Sequence, residues 1–324
     1  MGQAESTAIP SEQAPSESKK CSISLAMFKE HSLRVRKQDC AVTILHLSRL
    51  IQRHRGATLA MLGGDDSFAE QVENLQAQVK VQCEYLQYVN SVGDQQALPD
   101  NDGEQLHLGW KTIIQDWEND DIHQSFEFHS HLLESIARIS RQLSESVLSP
   151  STALSDRPAL VKSMEKNYLE PLSQLNQTCV IELYDLVEYL ARIRGLGTHM
   201  AAMGQSNPEW ESRVSFWLQE FSYRKQRFDQ DVQLIPSPYQ PCIPGLKTLK
   251  SLNMKLNYFL NLLGHEMSSE RSFQIPSHKL FLMGSEIIDG LLNIMDQANA
   301  VIRDQLYHMN HMCLERAVLE PSSS

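Results

Sequence analysis

Apolar residues recur at every third or fourth position through most of this chain, and this spacing is the feature that most limits its fold. In the first long stretch they include Ile44, Leu47 and Ile51. Spacings of three and four place side chains on one face of an α-helix. No segment alternates β-branched or aromatic residues with polar ones in the way that a strand does. The sequence therefore predicts an all-α fold.

Turn and cap residues divide this pattern into about eight predicted helices. Gly63-Gly64 ends the first helix, Ser149-Pro150-Ser151 separates two halves of the chain, and Asn207-Pro208 opens a later helix. Long helices joined by short connections are typical of helical bundles. We therefore expect the eight helices to form two four-helix bundles.

The composition of the N-terminal segment differs from that of the rest of the chain. Residues 1–22 are rich in Ser, Glu, Gln and Pro and are predicted to be a disordered tail. The helical domain is predicted over 23–320. Its two halves are expected to be sub-bundles over 23–150 and 151–320.

The charge of the chain argues against a general nucleic-acid-binding surface. Its 324 residues include 29 Lys and Arg against 40 Asp and Glu, which gives a net charge of −11 with His neutral. Binding to phosphate backbones requires clustered basic residues. The six cysteines are scattered with no C-x-x-C pair, and no apolar run reaches the roughly 18 residues of a membrane span. We expect a cytoplasmic protein with reduced thiols that binds neither nucleic acid directly nor a membrane.

One short motif occurs twice, each time near the end of a long helical pattern. Arg53-His54-Arg55-Gly56 in the first half is matched by Arg192-Ile193-Arg194-Gly195 in the second half, at an offset of 139 residues. At the same offset Met61 matches Met200. The repetition suggests a duplication in which each half begins with an equivalent long helix.

The two arginines of one motif point in different directions, because residues i and i+2 lie about 200° apart around a helix. Arg55 and Arg194 fall near the apolar stripe and are predicted to point inward, whereas Arg53 and Arg192 lie toward the flank. A buried guanidinium needs a negative partner. Two partners fit the sequence: a buried Glu or Asp, or a small planar oxyanion such as nitrate, nitrite, a carboxylate or bicarbonate. The glycine after each inward arginine, Gly56 in the first half, leaves space for a ligand or a second helix.

The remaining polar clusters predict neither a catalytic nor a metal site. His129-x-His131 and His308-x-x-His311 lack further ligands at a suitable spacing, so exposed histidines are expected. The sequence contains no Gly-rich phosphate loop and no evident Ser-His-Asp or Cys-His arrangement. The predictions are therefore no enzymatic activity, no metal and no cofactor.

Three segments resemble the nitrate- and nitrite-sensing (NIT) domain family. They are Gln52-Arg53-His54-Arg55-Gly56-Ala57-Thr58-Leu59, Phe128-His129-Ser130-His131-Leu132-Leu133 and Glu188-Tyr189-Leu190-Ala191-Arg192-Ile193-Arg194-Gly195. The resemblance covers roughly residues 25–315. It implies an eight-helix fold of two four-helix bundles, in which arginines hold one nitrate or nitrite.

Two positions depart from the family pattern. A glutamate usually precedes the Arg-Gly pair, where this chain has His54. Such proteins also supply a third arginine after the linker, and the nearest residues here are Lys247 and Lys250. A lysine keeps the charge but lacks the fork of a guanidinium. The predicted ligand-binding set is Arg55, Gly56, Arg194, Arg53, Arg192, Lys247 and Lys250.

We therefore expect a sensor that binds nitrate or nitrite and signals by rearranging its helices, in the regulation of nitrate assimilation or respiration. The last helix, over 276–318, has more apolar residues than one stripe requires. It is the expected contact with a regulatory protein partner, and a homodimer is also compatible with the sequence. The alternative is a ligand-free helical scaffold or adaptor in which the arginines are structural.

Overall fold

The computed structural model describes residues 17–92, 95–149, 159–268 and 272–319. Within these ranges the regular structure is helical throughout, with no strand. A π-helical stretch, Gln177–Glu182, joins α5 to α6 without a break, so the described chain forms eight helical rods. The prediction of an all-α fold with about eight helices is confirmed. The α-helices are α1 Glu17–Leu62, α2 Ala69–Ser91, α3 Asp100–Ile114, α4 Ile122–Leu148, α5 Ala159–Asn176, α6 Leu183–Met203, α7 Pro208–Asp231, α8 Leu249–Ser268 and α9 Ser277–Leu319.

The helix ends fall at the residues that the sequence marks as turns and caps. α1 ends at Leu62, and Gly64 follows with a φ of 94°, which glycine adopts without strain. α4 begins with a capping box, in which Asp121 and Gln124 each accept a hydrogen bond from the other's backbone N–H. Pro208 occupies the first turn of α7 behind an asparagine cap. These local signals explain why the predicted boundaries lie close to the observed ones.

α1 is the central helix of the fold. It packs against α2 and α4 from its own half and against α6 and α9 from the second half. α6 in turn lies against α7 and α9. One main apolar core extends from Val35 in α1 to Met309 in α9, so the predicted sub-bundles 23–150 and 151–320 share a core. This packing brings the two arginine motifs together in the interior.

The predicted tail over 1–22 falls partly outside the described residues. Residues 1–16 are not described, and residues 17–22 belong to α1, which begins before the predicted boundary. Glu17, Lys19 and Lys20 are good helix formers that extend α1 upstream of its first apolar residues. None of the helices in the four described ranges combines the length and the apolarity that a bilayer crossing requires.

Candidate functional site

Both arginine motifs lie where α1 crosses α6. The motif glycines meet at this crossing, because an ideal Cβ on Gly195 would lie 3.9 Å from Cα of Gly56 and 3.2 Å from Cδ1 of Leu59. Glycine at both positions lets the two backbones approach closely. Of the two roles that the sequence leaves open for Gly56, close approach of a second helix is the one observed.

Arg55 is fully buried and bound to a carboxylate. Its Nη1 and Nη2 donate to Oε1 and Oε2 of Glu188 at 2.8 and 3.2 Å, in a bidentate arrangement. Nη1 also lies 3.3 Å from Oγ of Ser130, and the guanidinium lies 5.3 Å from the ring centroid of Phe126. The prediction that Arg55 points inward is confirmed. The sequence allows two kinds of partner for this arginine, a buried acid or a small anion. The structure shows a buried acid, Glu188.

Glu188 accepts hydrogen bonds from three residues. Besides those from Arg55, it accepts one from Nε of Arg192 at 2.8 Å and one from Nε2 of Gln52 at 3.0 Å. Burial raises the pKa of this carboxyl, but the charges and hydrogen bonds of Arg55 and Arg192 together outweigh burial and hold the pKa below its ordinary value. Glu188 is therefore ionised at neutral pH and neutralises Arg55.

Arg194 is equally buried but forms no ion pair with a carboxylate in the described part of the chain. Its Nη1 donates to Oγ of Ser285 at 2.9 Å, and its Nη2 donates to the backbone oxygen of Gln52 at 2.7 Å. Its Nε has no acceptor among the described residues. Desolvation, with repulsion from Arg55 and Arg53, lowers the pKa of Arg194 to about 9. The side chain is therefore charged at neutral pH.

Two glycines make space for the Arg194 side chain. An ideal Cβ on Gly284 of α9 would lie 2.8 Å from its Cγ, and one on Gly56 of α1 would lie 3.3 Å from its Nη2 and 3.4 Å from its Nε. The ring of Phe281 covers the guanidinium, with its centroid 4.7 Å from Cζ. Arg194 thus passes from α6 between α1 and α9, and the aromatic face attracts its charge weakly.

The buried charges of this cluster do not balance. The cluster contains two fully buried guanidiniums, those of Arg55 and Arg194, and one buried carboxylate, that of Glu188, which pairs with Arg55. Removing a charge from water costs several kcal/mol unless a counter-charge lies beside it. The buried side chains of the cluster therefore carry a net positive charge. The Nε atoms of both arginines have no acceptor within the described ranges and can donate to a small anion.

The two flanking arginines are partly exposed and paired with acids. Arg53 contacts Asp289 of α9, and Arg192 contacts Glu134 at 3.1 Å as well as Glu188. Their side chains are 34 % and 18 % exposed, respectively. The prediction that they lie on the flanks of their helices is confirmed. They surround the buried cluster without adding an unpaired charge to it.

The structure does not bring Lys247 and Lys250 to the buried arginines. Both are exposed, at the end of the Pro-rich linker and the start of α8. Their neighbour Gly245 packs against Gln297 of α9, whereas the arginine cluster meets α9 at Ser285. These two contacts are about 18 Å apart along the helix at ~1.5 Å per residue. Neither exposed lysine therefore contacts the buried arginines in the described structure.

His129 corrects one expectation, because it is buried instead of exposed. Its Nδ1 donates to the backbone oxygen of Ser125 at 2.6 Å, and its Nε2 then accepts from Nδ1 of His54 at 2.8 Å. Burial lowers the pKa of His54 to about 3 and the pKa of His129 well below its ordinary value. His131 and His308 are exposed as expected. No group of His, Cys, Asp and Glu in the described chain is arranged to hold a metal.

The α9 side of the cluster is not part of the predicted ligand-binding set. Phe281, Gly284 and Ser285 all contact Arg194. The available signal is a Gly-Ser pair inside an otherwise apolar helical run, since both residues are poor choices for a helix interior. Glu188 has a signal as well, because Arg192 follows it at position i+4, the spacing of a helical ion pair.

The candidate site is therefore a buried charge cluster at the α1–α6 crossing. It consists of Arg55, Gly56, Glu188 and Arg194, and the Phe281 ring of α9 closes it. A scan against protein-family models finds no match for the chain, and searches of curated proteins and of solved structures find none either.

Proposed function

We propose that this protein is a cytoplasmic sensor that binds nitrate or nitrite at Arg194 and signals to a regulatory protein partner through α9. The observation that carries the proposal is the charge of Arg194, which is fully buried and has no ion pair with any described carboxylate. A monovalent anion beside it would balance the cluster. The resemblance of both arginine motifs to the NIT family supports the same class of ligand.

A small planar oxyanion suits the free donors of the site. Nε is the one nitrogen of each guanidinium, in Arg55 and in Arg194, that has no hydrogen-bond partner among the described residues. The Nε and Nη2 atoms of Arg194 lie next to Gly56, which has no side chain to intervene. A planar oxyanion presents two oxygens to two N–H groups of one guanidinium. Nitrate and nitrite therefore match the site in charge and shape.

Phe281 connects such a ligand to α9. An ideal Cβ on Gly56 would already lie 2.8 Å from Cε2 of Phe281, which is closer than the roughly 3.5–4.0 Å of a normal carbon contact. An anion on this side of Arg194 would displace the Phe281 ring, and we propose that the part of α9 that packs on α1 moves with it. This displacement is the proposed signal, since a ligand shifts an equilibrium only by binding one arrangement better than the other.

A ligand-free helical scaffold or adaptor is the second candidate, and one observation favours it. Arg55 already has the internal carboxylate partner that a structural arginine needs. Under this alternative, contacts with Ser285, Gln52 and the Phe281 ring hold Arg194 in place. The two candidates differ in one measurable way, because only the sensor gains stability from a specific anion. Neither candidate is an enzyme.

Thermal unfolding with different anions tests the proposal. The protein is compared in nitrate, nitrite, chloride, bicarbonate and sulfate at matched ionic strength, beside Arg194→Met and the control Arg138→Met, whose side chain is 44 % exposed. An anion at about a hundred times its Kd adds roughly 2.7 kcal/mol of stability. We expect this gain with nitrate or nitrite, its loss in Arg194→Met and its retention in the control. Equal responses to all five anions would favour the scaffold.

A further inference from the structure

We infer that Glu188 is an internal competitor of the bound anion and sets the affinity of the site. This inference rests on the proposed function and concerns the regulation of the same site. A carboxylate and a nitrate ion are both planar, and both present oxygens to the fork of a guanidinium. In the structure the carboxylate takes both Nη atoms of Arg55. An external anion therefore gains these donors only when Glu188 releases them.

Arg192 provides a second partner for the displaced carboxylate. It lies one helical turn after Glu188 on α6, and its Nε already donates to Oε1 of Glu188 at 2.8 Å. The Arg192 side chain is partly exposed and also contacts Glu134, so it lies between the buried cluster and the surface. Glu188 can therefore release Arg55 and remain neutralised on its own helix.

Gln52 links this exchange to Arg194. Its Nε2 donates to Oε2 of Glu188 at 3.0 Å, while its backbone oxygen accepts from Nη2 of Arg194 at 2.7 Å. The same residue of α1 thus contacts both the competitor and the unpaired guanidinium. When Glu188 moves away, Nε2 of Gln52 becomes a further donor for the anion.

Three variants separate competition from a purely structural role. Glu188→Gln keeps the shape of the side chain but removes its charge, so nitrate should bind about tenfold more tightly, the size of one hydrogen bond to a charged group. Arg192→Gln removes the second partner and keeps Glu188 on Arg55, so nitrate should bind about tenfold more weakly. Glu134→Gln is the matched control, because this acid contacts Arg192 at the surface. Its effect on affinity should stay within about threefold.

Isothermal titration with sodium nitrate, and separately with sodium nitrite, in a sodium chloride background measures the anion affinity of the parent and the three variants. Glu188→Gln leaves two buried guanidiniums without a carboxylate, so its thermal unfolding is also recorded with and without nitrate. A nitrate-induced rise in Tm larger than that of the parent supports competition even when this variant is unstable in chloride.

Opposite changes of affinity in Glu188→Gln and Arg192→Gln are the expected result, since a merely structural role would weaken binding in both. Nitrate binding that is intact in the parent but unchanged or weaker in Glu188→Gln overturns the inference and leaves the anion site in place. The absence of any response to either nitrate or nitrite in both the parent and Glu188→Gln overturns the proposed function itself.

Discussion

Replacing Arg194 with Met should stabilise the protein in buffer without nitrate or nitrite, although removing a large buried side chain is normally destabilising. The pKa of Arg194 is lowered from 12.5 to about 9, and a displacement of this size corresponds to roughly 5 kcal/mol against the charged form. The substitution leaves the backbone oxygen of Gln52 without its donor, at a cost of about 1–3 kcal/mol. A Met side chain fills most of the aliphatic volume. The free energy of unfolding should therefore rise by roughly 2 kcal/mol in Arg194→Met.

The matched substitution Arg55→Met should have the opposite sign. It removes the main neutralising partner of the buried Glu188, and breaking a buried pair from one side costs about 3–5 kcal/mol. Urea unfolding of the parent and of both variants gives the two changes in the free energy of unfolding. A loss in Arg194→Met comparable to that in Arg55→Met would refute the reasoning, because the charge of Arg194 would then be compensated in the folded protein.

Two further predictions concern the glycines around the site and the buried histidines. Gly56→Ala and Gly284→Ala should each cost about 1–3 kcal/mol, because the new Cβ would lie 2.8 Å from a neighbouring side chain. In the control Gly264→Ala, no described atom lies within 4 Å of the Cβ position, and urea unfolding should show a gain of about 0.5–1 kcal/mol. Stability should also fall as the pH drops below 6.5, because the folded-state pKa values of His54 and His129 are lowered and the unfolded chain binds protons that the folded chain does not. The loss of stability should continue toward pH 3 and be smaller in His129→Gln. Equal losses in the parent and this variant would show that His129 does not contribute to the pH dependence.

Apolar periodicity is sufficient to predict the helices, because each helix buries one face and that pattern is local. The last helix illustrates this, since it is predicted over 276–318 and observed as Ser277–Leu319. The inward direction of Arg55 and Arg194 follows from the same local pattern. Their partners do not, because Glu188 lies 133 residues from Arg55 in the chain. Which helices pair depends on packing between distant segments, and periodicity contains no information about it.

The repeated motif predicts two equivalent arginines, and the structure shows why their surroundings differ. Arg55 pairs with Glu188 on the opposite helix. At the offset of 139 residues, the position equivalent to Glu188 in the first half is occupied by Arg49. Arg49 turns outward to Asp289 of α9, so the acid that would neutralise Arg194 is missing from the repeat. Glu188 in the second half corresponds to Arg49 in the first half. This one difference in charge explains why Arg55 has a carboxylate partner and Arg194 has none among the described residues.

The crossing at Gly56 and Gly195 is also a point around which α1 can tilt. The two backbones approach closely there, since an ideal Cβ on Gly195 would lie 3.9 Å from Cα of Gly56, and α1 extends from the crossing through Val35 and beyond. At ~1.5 Å per residue, Val35 lies about 32 Å along the axis from Gly56. A tilt of about 5° around the crossing would move α1 by roughly 3 Å at that distance. A sub-ångström adjustment beside the arginines can therefore appear at the far end of the bundle as a displacement the size of a methyl group.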